Sequence, residues 1–224
     1  MGLAVLINGE SGAGKSASLR NFNKSEVLVF SLHKSRLPFK SNINVIKMTN
    51  MAYSERYEVI KQSMKKYQDK VKTFVIDDSD YLMFFEQQQR AKEGGYAKYN
   101  EIAGHMIDLK NYIETLNDDV IVYFLNHVEV DTNTGKSRAI TAGKLIDTQL
   151  GTFEALFENV LFAKIIDGNH VFVTNSDGTT TAKTSMGMFE EQEIDNDLKK
   201  VDEVIREYYC LLYTSDAADE EDSV

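Results

Sequence analysis

The octapeptide Gly9-Glu10-Ser11-Gly12-Ala13-Gly14-Lys15-Ser16 meets G-x-x-x-x-G-K-[ST] at every required position and constrains the fold more than any other feature of the chain. Such a loop needs a buried strand to deliver it and a helix to lead away from it. Leu3-Ala4-Val5-Leu6-Ile7 is an apolar run long enough for the strand, and Ala17-Ser18-Leu19-Arg20 can continue as the helix. In that setting the backbone N–H groups from Gly9 to Ala17 and the helix N-terminus point at the β- and γ-phosphates of a nucleoside triphosphate. Lys15 adds a mobile positive charge, and the Ser16 hydroxyl can ligate Mg²⁺. The alternative is a glycine-rich turn that merely joins strand to helix; the spacing and both flanks favour phosphate.

A triphosphate site needs a second half, an acid at the end of a buried strand. Lys72-Thr73-Phe74-Val75-Ile76-Asp77-Asp78-Ser79-Asp80 passes from an apolar core into three acids within four residues. Asp77 is expected to hold Mg²⁺ together with Ser16, and Asp78 to polarise the attacking water, where related ATPases usually carry Glu. The competing reading makes Asp78, Ser79 and Asp80 the cap of a helix beginning near Tyr81, and Asp80 is assigned that role.

Absent motifs narrow the class. The strand ending Tyr123-Phe124-Leu125-Asn126-His127-Val128-Glu129 is not followed by the Lys-x-Asp of a GTPase base-recognition motif, and no Leu-Ser-Gly-Gly-Gln signature of ABC ATPases occurs. The arginines, Arg20, Arg36, Arg56, Arg90, Arg138 and Arg206, are scattered rather than gathered in a kinase lid. A length of 224 residues suits one α/β domain, and 42% hydrophobic with 27% charged content is that of a globular protein. No apolar run reaches membrane-span length and no signal peptide precedes the first strand, so a cytoplasmic setting is expected. A formal net charge of −10 argues against coating duplex DNA by bulk charge, though not against a local basic groove.

Strand-like segments at residues 26–31, 44–48, 74–77 and 119–128 alternate with helical ones at 53 to about 70, 81–93 and 96–116, the last two split by Gly94-Gly95. This alternation predicts an α/β fold with a mostly parallel, doubly wound sheet. Beyond Glu129 comes a turn-rich basic loop at 131–138, then a short helix at 152–158. Strands at 159–166 and 170–175 join at Asp167-Gly168-Asn169 as a hairpin, and a further short strand is expected at 180–184. Asp195 or Asn196 is expected to cap a last helix running to about Tyr209. One domain, residues 1–209, accounts for these elements. The segment Cys210-Leu211-Leu212-Tyr213-Thr214-Ser215-Asp216-Ala217-Ala218-Asp219-Glu220 resembles a translated sequencing-library adaptor. Residues 210–224 are therefore expected to be a disordered acidic tail foreign to the native chain, the alternative being an ordinary acidic tail.

Taken together, the glycine-rich loop, the Asp77-Asp78 pair, the strand ending in His127 and Lys183-Thr184-Ser185-Met186-Gly187-Met188-Phe189 ahead of an Asn-Asp-Leu helix start resemble compact phage ATP-binding proteins on the RecA-like side of the AAA/P-loop ATPases. Where that family often reads Lys-Thr-Pro, this chain has Ser185. The resemblance implies a RecA-like sheet with a C-terminal β-hairpin and helix, ATP as the nucleotide, and Mg²⁺-dependent hydrolysis serving phage DNA recombination, replication or repair. It also implies that His127 is a polar sensor of the γ-phosphate or attacking water, the alternative being a solvent-facing strand-end histidine. Lys183 becomes a cation reaching a neighbouring subunit's nucleotide, against a plain surface lysine. Lys136, Arg138 and Lys144 are candidate contacts to a DNA backbone, against a solvated loop, and single-stranded DNA and further copies of the chain are the candidate partners. Two other functions stay open: a nucleotide-gated adaptor or loader with little turnover, which Asp78 in place of Glu favours, and a small-molecule kinase.

Overall fold

Near-continuous apolar runs become fully buried strands because helices cover both faces of the sheet they form. The computed structural model describes residues 1–33, 36–143 and 152–210. In chain order the elements are β1 (Leu3–Gly9), β2 (Val27–Ser31), β3 (Asn44–Lys47), α1 (Tyr53–Tyr67), β4 (Thr73–Asp77), α2 (Tyr81–Gln89), α3 (Ala97–Ile113), β5 (Ile121–Asn126), β6 (Val128–Val130), β7 (Ser137–Ala139), β8 (Asn159–Ile166), β9 (Asn169–Val173), β10 (Glu193–Asp195) and α4 (Leu198–Tyr208). Two short 3₁₀ segments, Ser16–Asn21 and Phe153–Leu156, complete them.

The eight-stranded sheet has the order β10-β9-β8-β1-β5-β4-β2-β3. Strands β8, β1, β5, β4, β2 and β3 run parallel, and β9 and β10 extend the β8 side as antiparallel strands. Alternation along each strand divides the core in two. Leu6, Phe30, Ile76 and Phe124 face the layer of α1, α2 and α3, meeting Ile60, Met64, Leu82, Ile102, Met106 and Leu109. Val5, Ile7, Val29, Val75 and Leu125 face the other layer, where Leu19 and Phe22 beside the first 3₁₀ segment join Leu198, Val201 and Ile205 of α4. Each fully buried side chain of this size contributes about 1.5–3 kcal/mol, so both layers are needed to cover the sheet.

Helix α4 is fixed by a buried polar cluster as well. Arg206 pairs with Asp202 (2.6 Å) and donates to the carbonyls of Asp119 (2.6 Å) and Lys72 (3.0 Å), while the Tyr123 hydroxyl donates to Asp202 (3.0 Å). Burial pushes the Asp202 carboxyl above its usual range, and Arg206 opposes that rise. The cluster thus bolts α4 across the starts of β4 and β5.

Several sequence expectations need correction. The segment after the glycine-rich loop is a six-residue 3₁₀ helix rather than a sustained α-helix. Ser18 turns its hydroxyl back onto the Lys15 carbonyl at 2.6 Å, the local competition that disfavours a regular helix. No strand forms at 180–184, where Thr180 and Lys183 make only isolated bridges to Ser137 and Val160. The third strand of the antiparallel unit is instead β10, whose Ile194 lies between Glu193 and Asp195. The α4 cap is Asp197, which accepts from the Lys199 amide at 3.1 Å, rather than Asp195 or Asn196. The basic loop at 131–138 supplies the turn of the β6–β7 hairpin and the first two residues of β7. Of the expected tail, Cys210 is exposed and residues 211–224 lie outside the described residues.

Candidate functional site

Parallel strands end together, so the C-terminal ends of β1, β4 and β5 deliver their last residues to one edge of the sheet. Asn8 is level with Asn126, and Gly9 with Ala163 of β8. On this edge Gly12 (φ +86°) and Gly14 (φ +103°) adopt conformations that L side chains rarely take. At Gly9 crowding decides instead, because a Cβ there would sit 2.8 Å from the Ala163 carbonyl oxygen.

Lys15 is buried and turns back over its own loop, donating from Nζ to the carbonyls of Gly9 (2.7 Å) and Glu10 (3.0 Å). The Ala13 amide closes the turn onto the Glu10 carbonyl at 3.1 Å. Ser16 Oγ donates to Asp77 Oδ1 at 2.7 Å across a separation of 61 residues. The two halves expected from sequence therefore meet. Ser11, Gly12, Gly14, Lys15, Ser16 and Ala17 line a cavity of about 270 Å³, together with Asp78, Pro38 and His170.

The turn after β4 explains how three acids are stored in a buried place. Ser79 anchors it to β5, its amide donating to the Leu125 carbonyl (2.8 Å) and its hydroxyl to Asn126 Oδ1 (3.0 Å). Asp78, held beside this anchor, takes φ +59°, a conformation that costs an aspartate on the order of 1 kcal/mol. Asp80 occupies the cap position of α2 without capping it. Its carboxylate instead accepts from the His127 amide (3.2 Å) and from His127 Nδ1 (3.0 Å). The assignment of Asp80 as a helix cap is thus corrected: it orients a histidine. With Nδ1 committed to Asp80, Nε2 of His127 faces Asp78 Oδ1 at 3.6 Å. Tyr81 packs edge-on against the same ring, with centroids 6.0 Å apart.

The residues present fit a magnesium nucleotide. One hydroxyl and one carboxylate, 2.7 Å apart beside a glycine-shaped loop, could serve as the protein donors to an ion held mainly by phosphates and water. Among the described residues no group of three or more His, Cys, Asp or Glu side chains forms a metal cage. The brief 3₁₀ segment supplies little helix dipole, so phosphate charge would be met chiefly by Lys15 and the loop amides.

Lys183, Lys136 and Arg138 do not line this cavity. Lys183 is exposed and pairs through its backbone with Val160, near the start of β8 and away from the loop at that strand's far end. Arg138 is engaged by Glu129 (3.0 Å) and Asp131 (3.7 Å) of its own hairpin. Lys136 is exposed at the hairpin turn, and Lys144 lies outside the described residues.

Three residues at the site carry no sequence signal. Glu154, buried, accepts through Oε1 from the Ala139 amide (2.6 Å), Thr181 Oγ1 (2.7 Å) and Asn8 Nδ2 (3.2 Å), tying the hairpin and the 181 segment to the strand under the loop. His170 donates from Nδ1 to the Ala13 carbonyl at 3.1 Å. Asn196 covers Gly14, where a Cβ would stand 3.0 Å from Asn196 Oδ1. All three are brought in by chain pairing over long separations, which no local pattern announces. Among the described residues no helix is long and apolar enough to cross a membrane. Against models of known protein families and against curated proteins, the chain finds no match.

Proposed function

We propose that the chain binds ATP with Mg²⁺ and hydrolyses it. The observation that carries this reading is the Ser16–Asp77 hydrogen bond of 2.7 Å, which joins a phosphate-type loop to a strand-end acid from a distant part of the sequence. Bound Mg²⁺ supplies charge neutralisation at the β- and γ-phosphates. Ser16 and Asp77 would hold it, and Lys15 would exchange its loop carbonyls for phosphate oxygens. Asp78 and the Nε2 face of His127, 3.6 Å from Asp78 Oδ1, bracket a place for the attacking water. Asp80 holds the ring of His127 in position for that task.

The sheet order, with β5 between the loop strand β1 and the acidic strand β4, supports the RecA-like reading of the fold. A role in phage DNA recombination, replication or repair follows from the resemblance of the loop, the Asp77-Asp78 pair and the Lys183 segment to phage ATPases. Lys136, exposed at the tip of its hairpin, is then the hairpin's candidate contact to single-stranded DNA. Lys183, on an exposed flank outside the cavity, would serve the nucleotide of another copy in an oligomer.

A nucleotide-gated adaptor is the second reading. Asp78 favours it, being one methylene shorter than Glu and held at φ +59°. Steady-state hydrolysis by wild type and by Lys15→Ala, with Mg²⁺ and with and without single-stranded DNA, tests the first reading. Turnover lost in Lys15→Ala supports it; unchanged turnover in that variant overturns it. ATP binding without hydrolysis in the wild type selects the adaptor.

A further inference from the structure

Apart from Ser16 of the loop itself, the groups assigned to metal and water stand on one side of the loop. Asp77 and Asp78 come from β4 and its turn, and His127 follows β5. On the opposite side of β1 the sheet continues through β8, β9 and β10. Because β9 runs antiparallel to β8, its start, with His170, comes to the loop edge. Because β10 runs antiparallel to β9, its end also comes there and hands the chain to Asn196. A triphosphate with its γ end at Asp78 and His127 therefore has its nucleoside end directed across the loop toward His170 and Asn196.

These two side chains are equipped to meet it. His170 lines the loop cavity, and the bond from its Nδ1 to the Ala13 carbonyl leaves Nε2 as the nitrogen available to a ligand. Asn196 is only 3% exposed, and its Nδ2 is buried with no hydrogen-bond acceptor. An orphaned amide donor is costly, and a ligand oxygen would satisfy it. The Asn196 amide lies over Gly14 with Oδ1 toward the loop; turning the amide over presents the NH₂ on that face. The backbone beneath Asn196 is held, since its carbonyl accepts from Arg20 at 2.5 Å and the next residue, Asp197, accepts from Asn21 at 2.7 Å.

We infer that His170 and Asn196 bind the nucleoside end of the nucleotide, at its ribose, so that the antiparallel unit decides what the phosphate chain is attached to. This rests on the reading of the Gly9–Ser16 loop as a triphosphate site.

The test compares ATP with inorganic tripolyphosphate, each with Mg²⁺, by calorimetry on the full chain. Wild type, Lys15→Ala, His170→Ala, Asn196→Ala and the near-isosteric Asn196→Asp are measured, with melting temperatures as a check on folding. The inference expects each His170 or Asn196 variant to lose about three- to tenfold in ATP affinity, the worth of one hydrogen bond, and to bind tripolyphosphate as wild type does. Asn196→Asp keeps the shape but cannot donate, so it is expected to lose at least as much as Asn196→Ala. Equal ATP affinity in all three variants overturns the inference, and so does a loss that falls equally on ATP and tripolyphosphate, which would make the pair a prop for the loop. Wild type that binds neither ligand, or Lys15→Ala that binds both normally, overturns the triphosphate reading itself.

Discussion

The glycine-rich loop and the β6–β7 hairpin both present cations that sequence alone assigns to phosphate, and they place those cations in different surroundings. In the loop, Lys15 donates to the carbonyls of Gly9 and Glu10, and Asp77 accepts from the Ser16 hydroxyl. In the hairpin, Arg138 is matched by Glu129 and Asp131 from the same short ribbon. Lys15 is buried where glycine-shaped backbone lines a cavity, whereas Arg138 stands on a ribbon whose own carboxylates compete with an incoming anion. The proposed phosphate site therefore favours the first region, and in the second Lys136, exposed at the hairpin turn, is the better candidate.

The largest expected effect comes from removing the loop cation. Lys15→Ala should lower ATP hydrolysis on the order of 10²–10³-fold, as loss of one preorganised charge does; hydrolysis within a fewfold of wild type would erase the contrast between the regions. Gly14→Ala comes next. A Cβ at φ +103°, 3.0 Å from both Asn196 and His170, should cost about 1–3 kcal/mol of strain, seen as a lower melting temperature together with weaker ATP binding. Asp80→Asn should reduce hydrolysis about tenfold while leaving the ATP dissociation constant unchanged, because it loosens His127 without touching the loop. A larger effect on stability than on rate would return Asp80 to a purely structural role. Smallest are the hairpin substitutions. If single-stranded DNA binds there, Lys136→Ala should reduce the slope of log affinity against log salt by about 0.7, and Arg138→Ala should change it by less. Equal changes would show that the Glu129 and Asp131 pairs do not restrain Arg138.

Residues that signal themselves locally were legible in the sequence. The runs at 3–7, 74–76 and 119–128 are apolar because both faces of a central strand are buried, and they return as β1, β4 and β5. Asp167-Gly168 marks the β8–β9 turn by its backbone demand, and both residues take positive φ. What local patterns could not supply was partnership. Asp80 reads as a cap until β5 brings His127 to it, and the third antiparallel strand is a three-residue segment with one apolar side chain, too short to carry a period. His170 and Asn196 reach the loop from 157 and 182 residues beyond Ala13 and Gly14, a placement fixed by strand order rather than by any motif.

The position of β1 in the sheet bears on how the chain comes to fold. Leu3 pairs with Ile121, and Gly9 with Ala163. Strand β1 is thus translated before both of its neighbours, which lie far downstream, and the loop it carries stays unsupported until they are made. At ordinary synthesis rates of roughly 5–20 residues per second, that leaves an apolar strand waiting on the order of ten seconds for its second flank. Pairings across such long separations also carry the slow, loop-closing part of folding. The glycine-rich loop is made long before the strands that shape it into a cavity.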